Sequence, residues 1–278
     1  MPVAAGPPAR LPLPQLLSPV PEWVAPPAWR CIELLSDLHL APEMPRTFEA
    51  FAAQLRDTGA DALLILGDLF EVWVGDDQRH RPFEQRCVQL LARTARTRRV
   101  AFMPGNRDFL LGDAMAADSG IERLNDPTVL VAWGRRWLLS HGDALCLDDV
   151  DYQRWRAEAR SDPWQREFAA LPLDERLARA GAARAASERR RAADAFDPAL
   201  WADVDPDAAR AWLDTTGCAD LIHGHTHRPG TSALGAGHHR HVLSDWDLDH
   251  AGSARAGLLR LTPAGLSRHP PSTATASG

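Results

Sequence analysis

Short runs of apolar residues alternate with longer amphipathic stretches along most of this 278-residue chain. Continuous apolar runs of four or five residues indicate buried strands, whereas apolar positions that recur every three or four residues indicate helices. Residues 46–57 carry Phe48, Phe51 and Leu55 on one helical face, and residues 82–97 predict a second helix. The predicted strands are residues 31–35, 62–66, 100–103, 136–140 and 219–222. This alternation of strands and helices predicts an α/β fold.

Three stretches depart from this alternation. Residues 1–28 are rich in proline and have few periodic apolar positions, so we expect a disordered or loosely draped extension. Residues 150–213 are rich in Ala and Arg and predict helices, either an inserted cap or an ordinary amphipathic layer. Residues 229–266 predict strands and turns of a second sheet, and residues 269–278 a disordered tail. The organised domain is expected to span residues 29–268.

Residue types that bind metal ions follow the predicted strands directly. Ligands of α/β sheets bind in the crevice at the carboxyl ends of the strands, so we expect these side chains to converge. The candidate metal ligands are Asp37, His39, Asp68, Asn106, His141, His223 and His225. Carboxylate and imidazole groups together suit divalent ions such as Mn²⁺, Fe²⁺ or Zn²⁺. A set of this size suits two adjacent ions and predicts metal-assisted hydrolysis of a phosphate ester or anhydride.

The residues beside these ligands have more than one interpretation. Asp37-x-His39 alone is a weak signal that is also typical of surface loops. Glu71 is expected to orient a ligand, with an ordinary surface residue as the alternative. Arg107 is expected to contact a substrate phosphate, with an ion pair to Asp108 as the alternative. His227 is expected to support a ligand or to orient the leaving group.

Composition and charge exclude other classes of function. The net charge of −6 argues against a nucleic-acid binder held by global charge. No apolar run reaches the roughly 18 residues of a membrane span, and the N-terminus lacks the pattern of a secretory signal. The four cysteines form no CxxC pair and indicate a cytoplasmic protein with reduced thiols. Neither a Gly-x-Ser-x-Gly elbow nor a P-loop is present in the sequence.

Longer blocks of the chain resemble a known family. Residues 65–77, 105–112, 141–152 and 222–229 look like the corresponding stretches of bacterial UDP-2,3-diacylglucosamine hydrolases, which are calcineurin-like metallophosphoesterases. The resemblance implies a four-layer α/β/β/α sandwich with a helical cap and two divalent metal ions, usually Mn²⁺. It also implies cleavage of the pyrophosphate of UDP-2,3-diacylglucosamine to UMP and 2,3-diacylglucosamine 1-phosphate in lipid A synthesis. Such an enzyme is expected on the cytoplasmic face of the inner membrane, which the cap would contact.

The resemblance further implies a role for each candidate residue. One ion would be held by Asp37, His39, Asp68 and His225. The other would be held by Asp68, which bridges the two ions, with Asn106, His141 and His223. The residues expected to be catalytic are Asp68, Asn106 and His141. The residues expected to contact substrate are Asn106, Arg107, Asp149, Ser187 and His223.

The cap is where the chain departs from the family pattern. The family carries a Ser, an Asn and a Lys that contact substrate; Ser187 matches the first, the Asn is missing, and all basic residues of this chain are arginine. The apolar cap residues Trp155, Trp164, Phe168 and Leu171 would line a lipid channel or simply pack. The departure motivates one alternative, a phosphoesterase for another nucleotide-sugar, cyclic nucleotide or phosphoprotein. A metal-free scaffold is a further alternative, against which the full ligand set argues.

Overall fold

Two six-stranded sheets form the centre of the molecule in a computed structural model that describes residues 12–193, 203–250, 252 and 254–272. The first sheet has the order β12-β11-β2-β3-β4-β5. Its strands are β2 (Ile32–Leu35), β3 (Ala62–Leu66), β4 (Arg99–Met103), β5 (Glu122–Arg123), β11 (Leu258–Thr262) and β12 (Gly265–His269). Strands β2 to β5 pair in parallel, and β11 pairs antiparallel with β2 and with β12.

The second sheet has the order β1-β6-β7-β8-β10-β9. Its strands are β1 (Glu22–Val24), β6 (Thr128–Ala132), β7 (Arg135–Ser140), β8 (Asp220–His223), β9 (Gly230–Gly235) and β10 (His238–Val242). The central strands β7, β8 and β10 pair in parallel. The carboxyl ends of β2, β3 and β4 in one sheet and of β7 and β8 in the other therefore carry the predicted ligand motifs.

The layers follow from which face of each strand is covered. The helices α1 (Pro45–Asp57), α2 (Pro82–Ala95) and α3 (Asp113–Ser119) pack on one face of the first sheet, where Phe51 and Leu91 meet Ile65. The alternate side chains of that sheet, such as Leu64, meet Trp137 of the second sheet in a central core. Helix α7 (Pro206–Thr216) covers the outer face of the second sheet. The predicted four-layer α/β/β/α sandwich is thereby confirmed.

Of the helices between β7 and β8 in the described part of the chain, three form the cap. They are α4 (Val150–Ala159), α5 (Asp162–Ala169) and α6 (Leu173–Ala193). The buried Arg176 of α6 joins the cap to the sandwich, because its guanidinium donates to the Val74 carbonyl at 2.6 Å and pairs with Asp77. Helix α7 was included in the predicted cap of residues 150–213, but its Trp212 and Leu213 pack on the second sheet, so it belongs to the sandwich.

Part of the predicted N-terminal extension is a strand in the structure. Strand β1 pairs in parallel with β6, and Trp23 is only 6% exposed. The Trp23 indole donates to Glu122 at 3.0 Å, and the Arg99 guanidinium lies 4.3 Å from the ring centroid. A single large aromatic anchor thus orders a proline-rich segment that has no periodic pattern. No helix among the described residues is long and apolar enough to cross a membrane.

Candidate metal centre

The loops that follow the parallel strands of the two sheets meet at one point. The Asp37 amide donates to the Gly67 carbonyl at 3.1 Å, and the His39 amide donates to the Asp68 carbonyl at 3.0 Å. In the second sheet the Gly224 amide donates to the His141 carbonyl at 3.0 Å. These bonds hold the loops side by side beyond the ends of the strands, so the predicted convergence of the motifs occurs.

Left-handed backbone conformations concentrate at this point. The φ angles of Asp37, His39, Asp68, His225 and His227 are 52°, 48°, 53°, 66° and 52°. Non-glycine residues seldom adopt such angles, and strained backbone of this kind clusters at functional sites. We expected strand alternation to point Asp37 and His39 to one side. The two side chains do approach each other, with His39 Nε2 at 3.9 Å from Asp37 Oδ1. The left-handed turns, and not strand alternation, bring them together.

One cluster of possible ligands consists of Asp37, His39 and His227, whose ligand atoms lie within 4.8 Å of one another. The Nε2 atom of His227 is 3.3 Å from Asp37 Oδ1 and 3.3 Å from His39 Nε2. On their other sides, His39 Nδ1 lies 2.8 Å from Glu71 and His227 Nδ1 lies 3.3 Å from Asp245. A carboxylate behind each ring fixes the Nε2 atom toward the shared space, as is typical of metal-binding histidines.

A second cluster forms around Asn106. Its Oδ1 atom lies 2.9 Å from His141 Nε2 and 2.8 Å from His225 Nδ1. The Nδ1 atom of His141 is 2.9 Å from the Leu66 carbonyl, which only accepts, so Nδ1 carries the proton and Nε2 faces the cluster. Gly67 makes this approach possible, since a Cβ there would lie 2.5 Å from His141 Nδ1.

Asp68 lies between the two clusters with one carboxylate oxygen toward each. Its Oδ2 atom is 3.9 Å from His39 Nε2, and its Oδ1 atom is 3.7 Å from His141 Nε2. The Asp68 side chain is only 2% exposed, and Oδ1 also accepts from the Arg107 amide at 2.8 Å. This is the arrangement that a carboxylate shared by two ions requires.

The histidines of the last motif take different places around the two clusters. His227 lies beside Asp37 and His39, and His225 lies beside Asn106 and His141. His223 is fully buried, with Nδ1 2.8 Å from the Gly224 carbonyl. It ends β8, and its Nε2 atom is buried with no hydrogen-bond partner among the described residues, so its role as a metal ligand stays a prediction.

The charges of the site are those of a cation-binding centre. Burial alone would raise the pKa of Asp37, but a hydrogen bond and charge interaction with His227 hold it well below the ordinary value. Burial would lower the pKa of His141, but the nearby Asp68 and Asp37 raise it to about 9. The pKa of His227 is raised to about 10, since hydrogen bonds to Asp245 and Asp37 outweigh burial. The carboxylates thus attract positive charge into both clusters, and the donor set fits divalent metal ions.

Comparison with known proteins agrees with this geometry. The family model described as calcineurin-like phosphoesterase matches residues 32–229. The chain belongs to this family. It is 45% identical over 245 residues to a protein of Ralstonia nicotianae named UDP-2,3-diacylglucosamine hydrolase, covering 85% of this chain and 91% of the relative. A protein of the same name from Xanthomonas axonopodis pv. citri is 45% identical over 221 residues, which are 76% of this chain and 90% of the relative.

The family match and the groups of possible metal ligands identify the chain as a metal-dependent hydrolase. One group is Asp37, His39 and His227, and the other is Asp37, Asp68 and His141. Asp108 is a structural residue of this phosphoesterase site whose role the sequence did not reveal. Its buried carboxylate accepts from the amides of Gly105 at 2.9 Å, Asp68 at 3.2 Å and Leu69 at 2.7 Å. It therefore ties two ligand loops together. The alternative ion pair between Asp108 and Arg107 does not form; Arg107 lies 3.3 Å from Glu71 instead.

The residues expected to contact substrate lie at different places around the metal centre. Arg107 of the sandwich and Arg184 of α6 both reach Glu71, at 3.3 Å and 3.0 Å, so the cap adds positive charge beside the first cluster. Asp149 caps α4 by accepting from the Tyr152 amide at 3.0 Å. The side chain of Ser187 lies outside the described part of the structure, and His223 is fully buried at the end of β8.

An aromatic surface lies between the cap and the Asn106 loop. Phe109 lies 5.9 Å from Trp155 and 6.2 Å from Trp164, measured between ring centroids. Trp164 stacks on Phe168 with centroids 4.6 Å apart. Trp155 is 39% exposed, which is unusual for so large an apolar side chain. The cap residues therefore pack on one another and at the same time present apolar area near the site.

Proposed function

We propose that the chain hydrolyses the pyrophosphate bond of UDP-2,3-diacylglucosamine to UMP and 2,3-diacylglucosamine 1-phosphate, a step of lipid A biosynthesis. The observation that carries this proposal is the 45% identity to relatives of that name over 85% of the chain. The dinuclear arrangement around Asp68 and the aromatic surface of the cap support it, since the substrate joins a pyrophosphate to two acyl chains.

The proposed ligands follow the geometry of the site. One ion would be held by Asp37, His39, Asp68 and His227, and the other by Asp68, Asn106, His141 and His225. We propose Mn²⁺ for both, because mixed carboxylate, amide and imidazole ligands suit a borderline divalent ion. Two such ions would supply charge that stabilises the oxygens of a phosphoryl group and would lower the pKa of a water to near neutrality.

The protein's own groups orient the substrate. Arg107 carries a planar guanidinium that matches phosphate oxygens, and its ion pair with Glu71 holds it beside the ligand clusters. Asn106 lies between His141 and His225 and presents its amide at the same place. We propose Asp68, Asn106 and His141 as the catalytic residues. We propose Asn106, Arg107, Asp149, Ser187 and His223 as the substrate contacts.

The acyl chains are proposed to lie on the aromatic surface of Phe109, Trp155, Trp164 and Phe168. Apolar area of this kind is seldom left exposed without a function. Arginines 154 and 166 on the same helices are the type of side chain that anionic lipid headgroups attract. We therefore propose that the cap contacts the cytoplasmic face of the inner membrane, where a lipid-linked substrate resides.

The proposal is tested by measuring products from a panel of substrates with the purified, Mn²⁺-loaded protein. UDP-2,3-diacylglucosamine is compared with UDP-N-acetylglucosamine, which lacks the two long acyl chains, and with a cyclic nucleotide. We expect UMP and a sugar 1-phosphate from the first substrate, much slower turnover of the others, and no turnover after chelation with EDTA. Faster turnover of another substrate would contradict the proposal and favour a different phosphoesterase function.

A further inference from the structure

Helix α4 presents three polar side chains to one buried carboxylate behind the second ligand cluster. Tyr152, Arg156 and Arg160 are spaced four residues apart and so lie in one stripe of the helix. The Oδ2 atom of the fully buried Asp143 accepts from Tyr152 Oη at 2.5 Å, from Arg156 Nε at 2.8 Å and from Arg160 Nη2 at 3.3 Å. The cap is thereby tied to the loop that follows His141.

Two members of this stripe also reach the second cluster or the backbone beside it. The Arg160 guanidinium donates to the Gly105 carbonyl at 3.1 Å, immediately before Asn106. The Tyr152 ring stacks on His225, with centroids 6.1 Å apart and 29° between the planes. The cap therefore contacts one member of the cluster and the loop that carries another.

The third ligand of the cluster is reached through a second buried carboxylate. Asp126 Oδ1 accepts from the His141 amide at 3.3 Å and from Ser140 Oγ at 2.7 Å. Its Oδ2 atom lies 4.0 Å from Arg156 Nη2. Groups bound to or near Asp143 thus contact His225, the His141 amide and the Gly105 carbonyl beside Asn106 from outside the site.

Stability alone does not account for this network. Buried ion pairs contribute little net stability, because desolvation offsets most of their attraction. The geometry of the network explains the arrangement better, since outer hydrogen bonds orient metal ligands and tune metal affinity.

We propose that Asp143, with Tyr152, Arg156 and Arg160, forms a positioning network that couples helix α4 of the cap to the second metal ion. The inference rests on the proposed function, because it requires that the second cluster binds an ion. Coupling of two sites is reciprocal. Binding of the second ion therefore orders α4, and loosening of α4 weakens the binding of that ion.

The test is a Mn²⁺ titration of the full chain in which free Mn²⁺ is followed by electron paramagnetic resonance. Tyr152→Phe keeps the ring stacked on His225 and removes only the hydroxyl bond to Asp143. Arg160→Met removes the bonds to Asp143 and Gly105, and Arg160→Lys restores a cation. Arg154→Met is the matched control, because Arg154 lies on the same helix in an exposed ion pair with Asp151.

We expect Tyr152→Phe and Arg160→Met to lower the affinity for the second Mn²⁺ ion by about 10–100-fold and to leave the affinity for the first ion unchanged. Arg160→Lys should recover part of the loss, and Arg154→Met should bind as the wild type does. Hydrogen exchange supplies an independent measurement: Mn²⁺ should slow exchange of the α4 amides in the wild type and not in Arg160→Met.

Second-ion affinity equal to that of the wild type in both Tyr152→Phe and Arg160→Met would overturn the inference and leave the proposed function standing. Fewer than two ions bound by the wild type would refute the proposed function and the inference together. Circular dichroism confirms that each variant is folded. If Arg160→Met does not fold, the conservative Tyr152→Phe decides the question by itself.

Discussion

Three histidines at alternate positions end the last motif, and the backbone at Gly224 and His225 decides which of them enter the site. Strand alternation would send His223, His225 and His227 to the same side. The left-handed backbone at His225 and His227 interrupts this pattern, whereas His223 still belongs to β8. The sequence therefore predicted that carboxylate and imidazole groups meet here, and which imidazoles bind metal stays a prediction.

The ligand positions at the other strand ends were predictable for a simple reason. An apolar run that stops at Asp37, Asp68, Asn106 or His141 marks the end of a buried strand, and such ends share one edge in a parallel sheet. Supporting residues were harder to predict. Asp108 and Asp143 act through hydrogen bonds to backbone or to a distant helix, and no spacing in the sequence reports those contacts.

Replacement of His227 tests the assignment of the first cluster. His227→Ala should reduce the number of tightly bound Mn²⁺ ions from two to one. Loss of a ligand should lower the Mn²⁺ affinity of the first cluster by more than the 10–100-fold that is typical of losing an outer hydrogen-bond partner. Elemental analysis after gel filtration measures the count. His223→Asn is the comparison and should retain two ions. The reverse pattern, with loss in His223→Asn and retention in His227→Ala, would show that the resemblance placed the ligands correctly.

Long elements with a clear apolar period matched their predictions closely. The predicted helices 46–57 and 82–97 correspond to Pro45–Asp57 and Pro82–Ala95, and the five predicted strands are all present. Some elements without a prediction are short, such as the three residues of β1 and the two of β5, whereas β6 is a five-residue, largely apolar strand without a prediction. The amphipathic period of α7 does not tell which layer the helix covers.

The ion pair between Asp77 and Arg176 anchors cap helix α6, and the stability that the pair contributes depends on pH. The hydrogen bond from Arg176 lowers the pKa of Asp77 in the folded protein. The pair therefore stabilises the fold above the unfolded pKa of about 3.9, and the stabilisation is lost as the pH falls through the lowered folded value. Because Asp77 is half exposed, we expect Asp77→Asn to cost only roughly 0.5–1 kcal/mol at pH 7.

Urea denaturation at pH 7 and at pH 3 measures this difference. The gap in unfolding free energy between wild type and Asp77→Asn should shrink at pH 3. Asp151→Asn, in the exposed pair of α4, is the control and should change stability less at both values. A gap that is absent at pH 7, or that grows at low pH, would contradict an anchoring role for the pair.

The molecule closes around a core shared by both sheets, and its N-terminal strand belongs to that core. Trp23 is 6% exposed, whereas its neighbour Val24 is 58% exposed. Removal of a buried tryptophan costs about 3–5 kcal/mol, while a surface change stays within about 0.5 kcal/mol. We expect Trp23→Ala to lower the unfolding free energy by about 3–5 kcal/mol and Val24→Ala to change it by no more than about 0.5 kcal/mol. Equal effects in chemical denaturation would mean that β1 is only loosely attached.

The proposed function depends most on the carboxylate of Asp68, which lies between the two ligand clusters at the junction of the two sheets. One assay of UMP release from UDP-2,3-diacylglucosamine, run with Mn²⁺ on the wild type, Asp68→Ala and Asp113→Ala, tests it directly. Asp113 is 96% exposed on α3 and serves as the matched aspartate control. We predict release by the wild type and Asp113→Ala, and only the uncatalysed background with Asp68→Ala. Near-normal UMP release by Asp68→Ala would contradict the role of Asp68, and no release by the wild type would contradict the proposed function.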